Sequence, residues 1–298
     1  MNPFLCPDEL EKACRDAAAP IRLGVIGNPI AHSRSPQMQQ AALDADGRAL
    51  RYVRLLCGTG EGDFAALLRL LADLRFIGAN VTVPFKKQAY EACASTDALA
   101  ALCGAVNTLR RREDGSWEGS NTDGPGFSRA IQEETARPLA SLRVLILGAC
   151  GGAGSALACQ CALEGCPALT LVNRPRPELG MAAERLAPLT RGVVRCTCFG
   201  DPALADRVAE AELIVNATSL GLREGDALPL DPSLLRPGQY VCDIVPHDTP
   251  LRRAAEARGC LTANGLGMLL WQGALSYEHW FGRLPDTDLM RRALADAE

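Results

Sequence analysis

Short, mainly apolar runs recur along this chain at 23–26, 52–56, 79–83, 144–147, 169–172, 213–215 and 240–242. Segments of helical length and period, such as 64–74 and 153–163, lie between most of them. Strands that alternate with helices bury both sheet faces under helical layers, which favours parallel pairing. The pattern therefore predicts an α/β fold. One stretch differs: 108–112 and 117–120 flank Asp114-Gly115, the turn chemistry of a β-hairpin.

A chain of 298 residues accommodates two domains. The boundary is expected just after the hairpin, with a helical extension at 1–19, a first domain at 20–123 and a second at 124–264. From Gly265 onward the pattern is helical without a further strand, so 265–298 is expected to pack back on the first domain. Asp8 and Glu9 follow Pro7 and suit the first turn of an N-terminal helix.

The net charge of −4 leaves no broad basic field for a nucleic acid. Arg110, Arg111 and Arg112 are followed at once by Glu113 and Asp114 and read as a solvated hairpin tip. No apolar stretch approaches the length of a membrane span, and the first residues lack the apolar core of a secretory signal. Thirteen cysteines without a Cys-x-x-Cys spacing, and three well-separated histidines, predict no metal site. They read as free thiols in a reducing cytoplasm. The expected partner is a small molecule, and the expected assembly a monomer or homodimer.

The strand at 143–147 runs directly into Gly148, Ala149, Cys150, Gly151, Gly152 and Ala153, and then into an Ala- and Leu-rich helix. Strand, glycine turn and helix aim backbone N–H groups and a helix dipole at a pyrophosphate. This context predicts a Rossmann-type, doubly wound dinucleotide-binding domain. Cys150 occupies the usual place of the second glycine, and Gly151 and Gly152 would supply the close approach instead. The next strand ends in Asn173-Arg174, with Arg176 beyond. An NAD site normally offers an acid here, whereas guanidiniums suit a 2′-phosphate, so NADP(H) is the expected cofactor.

The first domain carries polar clusters at its strand ends. Ser33 and Ser35 stand where Ser35-Pro36 would open a helix, a favourable place for a carboxylate. Lys86 follows Pro84-Phe85 at another helix start, where a cation is electrostatically disfavoured and needs a further reason.

The ordered series GNPIAHSRSP, NVTVPFK, GAVNT, NTDGPGF, the glycine turn, NR, NATSLG and GLGMLLWQGA closely resembles the successive motifs of the shikimate dehydrogenase family. The resemblance runs over about 23–280. It implies an N-terminal α/β substrate domain, and a reversible NADPH-dependent reduction of 3-dehydroshikimate to shikimate in aromatic amino acid biosynthesis. Ser33 and Ser35 would hold the substrate carboxylate, Thr82, Asn107 and Gln272 its hydroxyls, and Lys86 and Asp123 would form the catalytic pair. Gly151 and Gly152 match the phosphate loop, and Asn173 and Arg174 the 2′-phosphate site. Asn216, Ala217, Thr218 and Ser219 match the strand end near the nicotinamide half, with Gly265 and Met268 lining the nicotinamide side.

The chain departs from the family pattern in three places. The segment Asp243 to Thr249 is two residues short and lacks a tyrosine, with His247 in that region. Gln39-Gln40 replaces His-Asn after the serine motif. Pro175 replaces a threonine, which removes a hydroxyl and an N–H from the phosphate site. Two alternatives follow: a sister enzyme acting on quinate or aminoshikimate, or a ligand-binding paralogue with little turnover.

Overall fold

The structure is a computed structural model, and it describes residues 4–296. Each of its two units is built on one sheet; one unit runs to Thr122 and resumes at Leu270, and the other is Asp123–Leu269.

The first unit opens with α1 (Pro7–Asp16), β1 (Ile21–Gly27), α2 (Ser35–Ala45), β2 (Arg51–Leu56), α3 (Asp63–Asp73) and β3 (Gly78–Val81). Next come α4 (Lys86–Ala92), β4 (Ser95–Thr96), α5 (Ala98–Cys103), β5 (Thr108–Arg111) and β6 (Trp117–Ser120). Its strand order is β2-β1-β3-β5-β6-β4. The sheet is mixed, because the hairpin β5–β6 enters antiparallel to β3. The alternation of runs and helices predicted parallel pairing, which holds for β2, β1 and β3.

Two details differ from the expected elements. The run 79–83 ends as a strand at Val81, and a cis Val83-Pro84 bond follows. Proline cannot donate to a ladder, and the strand stops short of it, although the Thr82 N–H still donates to the Ile26 carbonyl of β1. The N-terminal segment is also more than a surface helix. Leu5 bridges to Leu55 on the edge strand β2, and Leu10 of α1 is fully buried in the core with Phe64, Leu67 and Leu71. Residues 1–3 of the expected extension lie outside the described residues.

The second unit contains α6 (Asp123–Thr135), β7 (Arg143–Leu147), α7 (Gly152–Leu163), β8 (Ala168–Asn173), α8 (Pro177–Leu186) and β9 (Val193–Cys198). It continues with α9 (Ala203–Glu210), β10 (Leu213–Asn216), β11 (Tyr240–Asp243), α10 (Pro250–Ala257) and β12 (Leu261–Ala263). All pairs are parallel, in the order β12-β11-β10-β7-β8-β9. The order reverses between β7 and β10. Such a switch point opens a crevice at the carboxyl ends of its strands. β9 and β12 escaped the apolar reading because they are edge strands with exposed positions at Val193, Cys196 and Leu261.

The last elements are α11 (Leu266–Phe281) and α12 (Thr287–Ala295). The chain passes back into the first unit within α11, at Leu270. There Gly273 lets α11 approach α2: a Cβ would stand 2.2 Å from the Met38 methyl. Gln39, buried on α2, donates its amide to the Gly273 carbonyl at 2.8 Å. Farther along α11, Tyr277 and Arg48 both donate to the Asp46 carboxylate, and Arg48 covers the Phe281 ring at 3.9 Å.

Candidate active site

In the first unit the candidate residues collect at strand ends and helix starts. Ser35 is the first residue of α2, and its N–H donates to the Ser33 hydroxyl at 3.3 Å. Arg54 of β2 donates to the Ser33 carbonyl at 2.9 and 2.6 Å and so fixes the backbone of the serine turn. Thr82 follows β3 and is half-buried. Lys86 is the first residue of α4, and its carbonyl accepts from the Val106 N–H, which ties α4 to the segment carrying Asn107. The lysine thus occupies a helix start, where the dipole opposes a cation.

Beneath them lies a buried polar network that the motifs did not disclose. Asn80 of β3 donates to Thr108 at 3.2 Å and to Ser276 at 2.8 Å, and it accepts from the Tyr52 hydroxyl at 2.8 Å. The Thr108 and Ser276 hydroxyls lie 2.7 Å apart. Asn107 holds the turn before Asp123: its amide donates to the Thr122 hydroxyl at 2.9 Å, and its carbonyl accepts from the Thr122 N–H at 2.8 Å. Asn121 is held as well, its N–H by Asp97 and its amide by the Ala105 carbonyl. Asp123 therefore starts α6 directly from a fixed pair of residues, and it is 5% exposed. Gln272 is buried on α11, and its carbonyl accepts from Ser276. The signal for this network is Asn80 itself, an amide inside an otherwise apolar strand, since buried amides require partners.

The second unit places its candidates at the β7/β10 switch point. Gly148 has φ of +82°, and a Cβ there would stand 2.9 Å from the Ala217 carbonyl. The glycine turn and the strand-end segment beginning at Asn216 are thus in direct backbone contact. Ala149 is buried, whereas Gly151 and Gly152 are exposed. A Cβ on Gly151 would meet only the carbonyl oxygens of Gly148 and Ala217, at 3.3 and 3.9 Å, and otherwise open space. No side chain caps α7 and no acid stands in its first turn. A glycine cradle with an uncapped helix start fits a dinucleotide pyrophosphate. Ala153 lies in that first turn. Asn173 is 9% exposed at the end of β8; Arg174 and Arg176 are exposed beyond it, and Arg176 pairs with Glu178 at 3.1 Å.

Asn216 is fully buried, accepts from Thr218 at 2.7 Å and donates to Asp243 at 3.0 Å. Asp243 also accepts from Thr249 at 2.8 Å and from the Val245 N–H. The shortened segment is therefore closed by its own bonds, and a His247 ring nitrogen lies 2.9 Å from the Gly221 carbonyl. Ser219 is exposed, Met268 is buried, and a Cβ on Gly265 would collide with the Ile244 carbonyl.

The family model described as the shikimate dehydrogenase substrate binding domain matches residues 25–109, and that of the shikimate 5′-dehydrogenase C-terminal domain matches 265–295. A shikimate dehydrogenase (NADP(+)) of Moorella thermoacetica is 40% identical over 278 residues, covering 92% of each chain. The chain belongs to the shikimate dehydrogenase family. A family structure from Thermus thermophilus, solved with NADP(H) and shikimate, is 34% identical with a TM-score of 0.81, covering 93% of this chain and 100% of that one. Quinate dehydrogenase from Corynebacterium glutamicum, in complex with NAD, is 30% identical with a TM-score of 0.82, covering 93% and 99%.

No helix among the described residues is long and apolar enough to cross a membrane. All thirteen cysteines are free thiols. Burial pushes Cys242 up to about 12, with Asp243 adding to the shift, so this thiol stays protonated.

Proposed function

We propose that this chain is an NADP-dependent shikimate dehydrogenase, reversibly reducing 3-dehydroshikimate to shikimate. The observation that carries the reading is the glycine cradle at the β7/β10 switch point, in a chain whose close relatives are shikimate dehydrogenases.

In this reading the nicotinamide supplies or accepts a hydride. Gly148, Ala149, Gly151, Gly152 and Ala153 hold the pyrophosphate, and Asn173, Arg174 and Arg176 receive the 2′-phosphate. Asn216 to Ser219, with Gly265 and Met268, form the nicotinamide end. Ser33 and Ser35 bind the substrate carboxylate, and Thr82 and Gln272 bind hydroxyls. Asn107 is 2% exposed with its amide committed to Thr122, so its contribution is chiefly to seat the turn before Asp123.

Reduction of the ketone builds negative charge on its oxygen. The Lys86 ammonium stabilises that charge and delivers the proton there, and Asp123 orients the lysine and accepts from the neighbouring substrate hydroxyl. A small-molecule partner, a cytoplasmic location and a monomer or homodimer complete the reading.

The deciding assay follows NADPH absorbance with purified protein and shikimate plus NADP⁺. Lys86→Ala should lower kcat by about 10²–10⁴-fold with an unchanged circular dichroism spectrum. Undiminished turnover in that variant would remove Lys86 from the chemistry. The shortened 243–249 segment and the likeness to a quinate dehydrogenase favour quinate as the second substrate to assay. A higher kcat/KM for quinate would reassign the enzyme within its family.

A further inference from the structure

Beyond the end of β8 the chain carries an acid, Glu178, in the first turn of α8. β8 ends at Asn173, and the chain runs through Arg174, Pro175 and Arg176 into α8. At the corresponding strand end, an acid normally holds the ribose hydroxyls of NAD, and an arginine accommodates the extra phosphate of NADP. This chain carries both chemistries within a few residues, at Arg174, Arg176 and Glu178. Arg174 forms no ion pair or hydrogen bond among the described residues. Arg176 is already engaged: its Nε donates to Glu178 at 3.1 Å, with both side chains about half exposed. The pair follows the end of β8, the strand beside β7, and β7 leads into the glycine turn.

We propose that Glu178 is a specificity-determining residue that limits the preference for NADP over NAD by occupying Arg176. The inference rests on the cofactor reading above. A 2′-phosphate must draw Arg176 away from Glu178 and tolerate a carboxylate beside two further negative charges. A 2′-hydroxyl faces neither cost and can donate to Glu178. The mutual pull of the pair is visible in both partners, for Arg176 is pushed up by Glu178 and Glu178 is held below the usual carboxylate range by Arg176.

The test is equilibrium binding of NADP⁺ and NAD⁺ to the full chain by isothermal titration calorimetry at low ionic strength. Removing one negative charge beside a doubly charged phosphate should let Glu178→Gln tighten NADP⁺ by about five- to tenfold. NAD⁺ affinity should stay level or fall. In an Arg176→Gln background the same substitution should tighten NADP⁺ by clearly less than in the native chain, because only the direct repulsion between carboxylate and phosphate is then relieved. Equal shifts for both nucleotides, no shift in NADP⁺, or an undiminished effect without Arg176 would each overturn the role of Glu178. A native chain that binds neither nucleotide would instead remove the cofactor reading, and the inference with it. Both residues are exposed at the start of α8, so the variants test the site and not the fold.

Discussion

Gly148 shows how a single position joins backbone geometry to chemistry. Its φ of +82° is a conformation that a side chain resists, and its missing Cβ is the space into which the Ala217 carbonyl fits. Gly148→Ala should therefore cost about 1–3 kcal/mol in urea unfolding and also displace the cradle, weakening NADP⁺ binding. Native stability and affinity in this variant would contradict the close contact. Gly148, Gly151 and Gly152 were legible in the sequence because glycine between an apolar strand and a helix has few other uses. The commitment of Asn107 to Thr122, and of Arg176 to Glu178, was not legible: an amide or a guanidinium reads the same whether it faces a substrate or a neighbour.

Among the elements, α11 carries the clearest pH response. Burial, and then Arg110, push the His279 ring below its usual range, while Glu118 and Asp97 pull the other way. Its Nε2 is buried without a hydrogen-bond partner. A depressed folded-state value favours the neutral ring, so this contribution to stability is complete above the unfolded value near 6.5 and is lost as pH falls below it. Urea midpoints measured between pH 7.5 and 5 should decline on the acid side, and His279→Phe should flatten that decline. An equal slope in the variant would assign the acid sensitivity to other groups. Nothing in the period of α11 foretold this environment, which forms where the helix meets charges from the hairpin and from Asp97.

At the scale of the whole chain, the N-terminal segment is part of the first unit's core. Leu10 is fully buried, and Leu5 occupies the open edge of β2. Leu10→Ala should lower stability by about 2–5 kcal/mol, measured by chemical denaturation. A change within about 0.5 kcal/mol, the range of an exposed site, would show that α1 is merely attached. Covering an edge strand also blocks pairing with another chain.

Strand and helix alternation, the glycine turn and the order of the polar motifs are local properties, written in periods of a few residues. The sequence alone therefore determined the α/β class, the hairpin and the Rossmann-type half, and it nominated the candidate residues. Tertiary structure decided the mixed order of the first sheet, the edge strands β9 and β12, the buried network from Tyr52 to Thr122 and the pairing of Arg176. Each of these depends on which distant residues become neighbours, and a periodic pattern carries no information about that choice.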